Sequence, residues 1–246
     1  MNSVLLYPIG KTQAVRHAVS LLHKKGIPLI DHPAPEITHL LLDVPSFTPE
    51  GSLRNGGAVE HHLERLPQSI TVVGGNLQHP ALSGYRTVDF LQDPLYLSRN
   101  AAITADCAIR VAAQTLKTTF ADTPVLVIGW GRIGKCLAKM LKGLGCDVVV
   151  AARKEADRAL LTALGYRAVN FCASLSPYRL IFNTVPAPVF SREIQKCDDC
   201  VKIDLASSPG LSGEDVIIAK GLPGMHTPES SGWLIAETFL RLCKEE

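Results

Sequence analysis

An apolar run, Val125-Leu-Val-Ile128, leads directly into Gly129-Trp130-Gly131-Arg132-Ile133-Gly134, and a second apolar run from Val148 ends in Arg153-Lys154. Between them, residues 135–146 carry Leu137, Met140, Leu141 and Leu144 close to helical spacing. Strand, tight glycine turn, helix and parallel strand in this order form the unit that binds dinucleotides in a doubly wound sheet. Each glycine has its own task. Gly129 permits the turn, Gly131 lets the backbone approach a pyrophosphate, and Gly134 lets helix and strand pack closely. The helix N-terminus then presents free N–H groups and a positive dipole end to the phosphates. An empty Rossmann domain would keep the same spacing, so the glycines alone leave that alternative open.

The end of the second strand bears on which dinucleotide. NAD-preferring sites carry Asp or Glu roughly 20 residues past the glycines, where it accepts from the ribose 2′-OH. Here Arg153 and Lys154 stand instead. A guanidinium pairs with a 2′-phosphate that an acid would repel. NADP is therefore the first choice and NAD the second, with a solvated basic turn as the competing reading.

Composition excludes several classes. A length of 246 residues suits one large domain or two smaller ones. A net charge of +2 provides no electrostatic footprint for nucleic acid. No apolar run approaches the roughly 20 residues of a membrane span. The start, Met1-Asn-Ser-Val-Leu-Leu-Tyr-Pro8, lacks a basic n-region and a cleavage site and reads as a first strand. The seven cysteines are odd in number, and several, such as Cys107, Cys136 and Cys172, sit at apolar positions. That usage suits reduced thiols, and a cytoplasmic location is expected. Cys197-Asp-Asp-Cys200 has no second cysteine pair to complete a zinc site, so no metal is expected. The histidines form no HxxxH or HExxH pattern, and a Gly-x-Ser-x-Gly elbow is missing.

The fold class expected is α/β, with two Rossmann-like domains. Residues 1–98 form a small N-terminal domain with strands at 4–7, 28–30, 39–44, 69–73 and 87–90 and helices at 12–25 and 59–66. Its strand ends carry Pro45-Ser46 and Gly74-Gly75-Asn76. A boundary falls near Asp93-Pro94, after which Thr104 caps a helix running to Leu116. Residues 99–227 form the dinucleotide-binding domain, a doubly wound parallel sheet with further strands at 168–171, 180–183, 201–205 and 216–219. Thr227-Pro228-Glu229 opens a final helix, 228–246, with Trp233, Ala236, Phe239 and Leu240 on an apolar face. That helix is expected to pack back on the first domain and close a cleft.

Three strand ends in the second domain carry candidate chemistry. Asn183-Thr184-Val185-Pro186, Asp204-Leu-Ala206-Ser207-Ser208-Pro-Gly210 and Gly221-Leu-Pro-Gly-Met-His226 read as loops beside the nicotinamide half of a cofactor. Plain turn chemistry is the competing account, since Asn, Pro and Gly end strands in any α/β protein. Asn183–Pro186, Asp204 and Ala206 are assigned to the cofactor. Thr104, Asp106, Ser207 and His226 are the catalytic candidates, with Ser208 beside the substrate.

Together these motifs resemble the family of dipicolinate synthase A subunits. The stretches that carry the resemblance are Asn100-Ala-Ala-Ile-Thr-Ala-Asp106, the glycine turn, Val149-Val-Ala-Ala-Arg153, Phe182-Asn-Thr-Val-Pro-Ala187, Ile203-Asp-Leu-Ala-Ser-Ser-Pro-Gly210 and Gly221-Leu-Pro-Gly224. The resemblance covers most of residues 95–242 and is fainter upstream. It implies NADP-dependent oxidation of a dihydrodipicolinate-type dicarboxylate to dipicolinate in sporulating bacteria. It also implies a flavoprotein-like second subunit, and a homo-oligomer is expected. Where the family usually reads Glu-Gly, this chain has Asp106-Cys107. Where the family's final helix opens Pro-Lys-Thr-Ala-Gly, this chain has Pro228-Glu-Ser-Ser-Gly232, losing a cation and gaining an anion. The chain also lacks the family's glycine-containing first strand-turn. The other readings left open are an NADP dehydrogenase of another small acid and a non-catalytic cofactor-binding subunit.

Overall fold

Strand and helix alternate along the chain, and each named strand pairs only in parallel. The computed structural model describes residues 4–171, 178–189 and 199–243. The chain divides into two compact units, one of Met1–Asn100 with Pro223–Glu246 and one of Ala101–Leu222. Among the described residues no helix is long and apolar enough to cross a membrane.

The first unit holds β1 (Leu6–Pro8), β2 (His39–Leu41), β3 (Thr71–Gly74) and β4 (Arg86–Asp89) in the order β1-β2-β3-β4. Successive side chains of a strand face opposite sides, so Leu40, Leu42, Ile70 and Val72 join one core with Leu53, Leu63 and Leu66. Helix α1 (Gln13–Lys24) starts where the Thr12 hydroxyl accepts from the Val15 amide, and it buries Val15, Ala18 and Leu22. Asp43, buried just past the end of β2, ties that start down. Its Oδ1 accepts from the Thr12 amide (2.9 Å) and hydroxyl (2.7 Å), and its Oδ2 from the Lys11 amide (3.1 Å). The last helix, Pro228–Cys243, returns to this unit and packs on α1.

The contact between those two helices is unusually close at Gly232. A Cβ there would stand 2.5 Å from the Ala14 carbonyl oxygen and 2.7 Å from His17 Cβ. Gly232→Val is expected to destabilise this unit by about 3 kcal/mol, the upper range for overpacking. Urea unfolding measures it, and an unchanged midpoint would show that the helices part freely.

His39 predicts a pH effect. Its ring meets the Phe239 ring edge-on at 5.6 Å. Burial, aided by the Arg86 charge, lowers its pKa below the ordinary 6.5. The unfolded chain therefore binds a proton before the folded chain does, and the neutral ring's contribution is lost as pH falls below about 6.5. The melting temperature should drop on acidification, and His39→Phe should flatten that part of the slope. An identical slope in the variant would contradict this.

The second unit contains β5 (Pro124–Ile128), β6 (Asp147–Ala151), β7 (Arg167–Val169), β8 (Leu180–Asn183), β9 (Val201–Asp204) and β10 (Val216–Ile218) in the order β10-β9-β8-β5-β6-β7. Chain order reverses between β5 and β8, the switch point where such sheets bind ligands. Val125, Val127, Val148, Val150, Leu180 and Phe182 face one core with residues of the 94–115 and 132–143 helices. Leu126, Ile128, Val149, Ala151 and Ile181 face another. Burial on both faces explains why these strands read as unbroken apolar runs.

Several expectations are corrected. The bridging helix is Pro94–Thr115, so Thr104 lies inside it and caps nothing. The cap is Asp93, whose Oδ2 accepts from the Tyr96 amide at 2.7 Å, with Pro94 as the first helical residue. The division between the units falls within this helix, between Asn100 and Ala101. Residues 28–30 form no strand; Leu29 makes one isolated bridge to Leu6. The helix expected at 59–66 is only Glu60–Leu63. Gly221–His226 is not a loop throughout, because Leu222–His226 is a short helix. The helix after the glycine turn begins at Arg132 and ends at Gly143. Cys172 and Cys197 lie outside the described residues.

Candidate dinucleotide site

Register places the strand ends of the second unit in one row. Ile128 of β5 is paired with Ala151 of β6 and Asn183 of β8, and Asn183 with Asp204 of β9. The glycine turn, the basic pair and the first two predicted loops therefore leave the sheet from one line, and β10, the strand before the third, ends on the same row with Ile218 paired to Asp204.

The turn is built on backbone close approach. Gly129 has φ +105°, which favours glycine, and its amide donates to the Ala151 carbonyl at 2.9 Å. A Cβ on Gly129 would lie 2.4 Å from Thr184 Oγ1. Thr184 in turn donates both its amide and its hydroxyl to the Ile128 carbonyl, each at 2.9 Å, which locks the 183–186 loop onto the turn. A Cβ on Gly134 would stand 2.1 Å from the Gly129 carbonyl oxygen. Gly131, by contrast, has nothing within 4 Å of its missing Cβ and caps the 132–143 helix without any side-chain hydrogen bond. The amides of Arg132, Ile133 and Gly134 have no helical acceptor by geometry. Open space in front of unpaired amides is what a pyrophosphate requires, so these residues fit the dinucleotide.

The neighbouring side chains divide by role. Arg132 is exposed beside the turn, while Ile133 packs against the core. The Trp130 ring lies edge-on to Tyr166 at 5.9 Å with the Lys135 ammonium 5.6 Å from its centre. Its buried indole Nε1 has no hydrogen-bond partner among the described residues.

At the end of β6, Arg153 and Lys154 are exposed. The acids nearest in sequence, Glu155 and Asp157, lie in the first turn of the following helix, Glu155–Ala163, where they complement its dipole. Arg158 in that helix escapes the sequence reading. Its Nη1 donates to the carbonyls of Ala152 (2.9 Å) and Arg153 (2.7 Å).

Asp204 organises the other side. Its Oδ1 accepts from the Ala206 amide (2.9 Å), and its Oδ2 from the amides of Gly210 and Leu211 (2.8 Å each) and from Asn183 Nδ2 (3.1 Å). Asn183 also bonds Val185 through both side-chain atoms, each at 3.0 Å. Both residues are buried, Asn183 at 0% and Asp204 at 1% exposure. Their side chains hold the loops, on which Pro186, Ser207 and Ser208 are exposed while Thr184 and Val185 are half-buried, Val185 against the core.

The catalytic candidates are scattered. Thr104 is buried inside its helix, and Asp106, two residues on, pairs with Arg110 at 2.7 Å with both side chains about half exposed. Ser207 is exposed at the Asp204 loop. His226 ends the short helix and belongs to the first unit.

Residues 99–196 match the D-isomer specific 2-hydroxyacid dehydrogenase NAD binding domain family. The A subunit of dipicolinate synthase from Bacillus subtilis (strain 168) is 26% identical, with 87% of this chain and 80% of that protein covered. The crystal structure of the corresponding A subunit from Bacillus halodurans has a TM-score of 0.85 at 20% identity, over 98% of this chain and 97% of that one. The A chain of dipicolinate synthase from Bacillus subtilis has a TM-score of 0.82 at 21% identity, over 100% and 97%. The chain is an NAD(P)-dependent oxidoreductase that resembles the A subunit of dipicolinate synthase along most of its length.

Proposed function

We propose that the chain oxidises a dihydrodipicolinate-type dicarboxylate to dipicolinate with NADP, alongside a flavoprotein-like second subunit. The observation that carries the cofactor half is the end of β6, where Arg153 and Lys154 are exposed and residues 151–154 contain no acid. The sequence relative from dipicolinate synthase supports the substrate half.

The nicotinamide supplies the hydride acceptor. The chain does the rest. Gly131 and the amides of Arg132, Ile133 and Gly134 would hold the pyrophosphate, while Arg153 and Lys154 would neutralise the 2′-phosphate. Thr184, Val185 and Pro186, with Ala206, belong to loops that would flank the nicotinamide half of the cofactor and that the Asn183–Asp204 network keeps in place. The exposed Ser207 and Ser208 hydroxyls offer donors to substrate carboxylates. One C–H leaves the substrate ring as hydride and one proton leaves to water. Aromatisation drives the step, so a strong general base is not required.

Arg153→Asp tests the cofactor assignment. Losing a charge-assisted contact of about 1.5–3 kcal/mol should weaken NADP binding roughly ten- to a hundredfold. NAD binding should change little. Equilibrium titration of both cofactors against wild type and variant decides it. A wild type that prefers NAD, or a variant that keeps NADP, would reduce Arg153 to a surface charge.

A further inference from the structure

We infer that Arg158 is the fixed cation of the 2′-phosphate site and Arg153 its mobile companion, an assignment that rests on the NADP reading above. Arg158 stands in the helix Glu155–Ala163, and its side chain folds back to the segment joining β6 to that helix. One nitrogen, Nη1, directs its hydrogens to the Ala152 and Arg153 carbonyls, at 2.9 and 2.7 Å. The N–H groups of Nε and Nη2 are engaged by no described residue. Those two nitrogens form one edge of the guanidinium fork, the edge shaped to grip a phosphate bidentately.

Location and rigidity follow from the same bonds. The two carbonyls belong to the stretch where an NAD-preferring chain would place its ribose-binding acid. Arg158 thus holds a permanent charge within hydrogen-bond distance of that backbone. Two acceptors on one nitrogen fix the guanidinium plane before any ligand arrives, so little side-chain freedom is lost on binding. Arg153 is exposed, with no ion pair among the described residues, and has its rotamer freedom still to lose. Arg158 also fixes the carbonyl of Arg153 itself, so it orders the backbone that carries the second cation.

The experiment uses the two adenosine halves that differ only in the phosphate in question. Calorimetry measures 2′,5′-ADP and 5′-AMP on the whole chain for wild type, Arg158→Met, Arg158→Lys and Arg153→Met, with melting curves for each. Wild type should bind 2′,5′-ADP at least about tenfold more tightly than 5′-AMP. Arg158→Met should bring that preference below about threefold and leave 5′-AMP within about twofold of wild type. Arg158→Lys should fall between, because a compact ammonium does not reproduce the fork. Arg153→Met should lose less than Arg158→Met. Equal loss of both ligands with a lowered melting temperature would make Arg158 a backbone staple only and overturn the inference, as would a larger loss in Arg153→Met. A wild type that binds both ligands equally would overturn the NADP reading itself, and that outcome is separate from the others.

Discussion

Asp204→Ala should destabilise the second unit by about 4 kcal/mol, because it strands four buried donors, each at a cost of about 1–3 kcal/mol before relaxation. The carboxylate accepts from three backbone amides and from Asn183 Nδ2 at 1% exposure. The loss is local in origin, since the loops 183–187 and 205–211 lose their common anchor. A Cβ at Gly210 would already meet the Ala187 and Val185 carbonyl oxygens at 2.5 and 2.6 Å, so little slack exists for repacking. Asp204→Asn, which keeps acceptor capacity on one oxygen only, should fall between wild type and alanine. Thermal unfolding of the three proteins checks the order. A cost for alanine below about 1 kcal/mol would show that solvent replaces the carboxylate and that the hub is no hub.

Gly134→Val carries the largest expected effect on ligand binding. A methyl at this position alone would approach the Gly129 carbonyl oxygen to 2.1 Å. Backbone cannot yield as a flexible side chain would, so the helix that follows must move away from β5. The amides of Arg132, Ile133 and Gly134 move with it, out of register with a pyrophosphate. Affinity for either nicotinamide cofactor should fall by roughly a hundredfold or more, about 2.7 kcal/mol. Gly131→Ala is the control, because its Cβ meets nothing within 4 Å in the free chain. It should fold normally and lose cofactor affinity only, through contact with the phosphates. Calorimetric titration with NADP and NAD reads both variants. Near-native affinity in Gly134→Val would remove the glycine turn from the site.

Local signals carry the features that depend on local physics. The glycine turn is readable because its glycines have fixed tasks at fixed spacing, and Gly129 and Gly134 do have close backbone or side-chain neighbours. The parallel pairing of the second unit is implicit in apolar runs separated by helical spacing. The final helix announces itself through Thr227-Pro228-Glu229, and it starts at Pro228. What cannot be read depends on distant partners. Asp93 begins the long helix while its carboxylate also pairs with Arg241 at 2.5 Å, 148 residues away. A cap shared that way leaves only a modest trace, the dipeptide Asp93-Pro94. Leu222–His226 contains Pro223 and Gly224, poor helix formers, so propensity argues for a loop where tertiary context makes a helix. Asp204 reads as one acid in a polar loop because its donors come from positions 183, 206, 210 and 211. Arg158 is hidden for a similar reason. Its side chain reaches back past its own helix start, and only an arginine five residues after Arg153 hints at it.

The most direct test of the proposed function follows the hydride itself. Freshly prepared dihydrodipicolinate, deuterated at the ring carbon that loses hydride, is given to the chain with NADP, with and without a candidate flavoprotein-like partner. Mass spectrometry then locates the label. Deuterium is expected in the reduced nicotinamide, one equivalent for each dipicolinate formed, and none with Gly134→Val. Dipicolinate formed with the label released to water, or no dipicolinate in any combination, would contradict the proposed function.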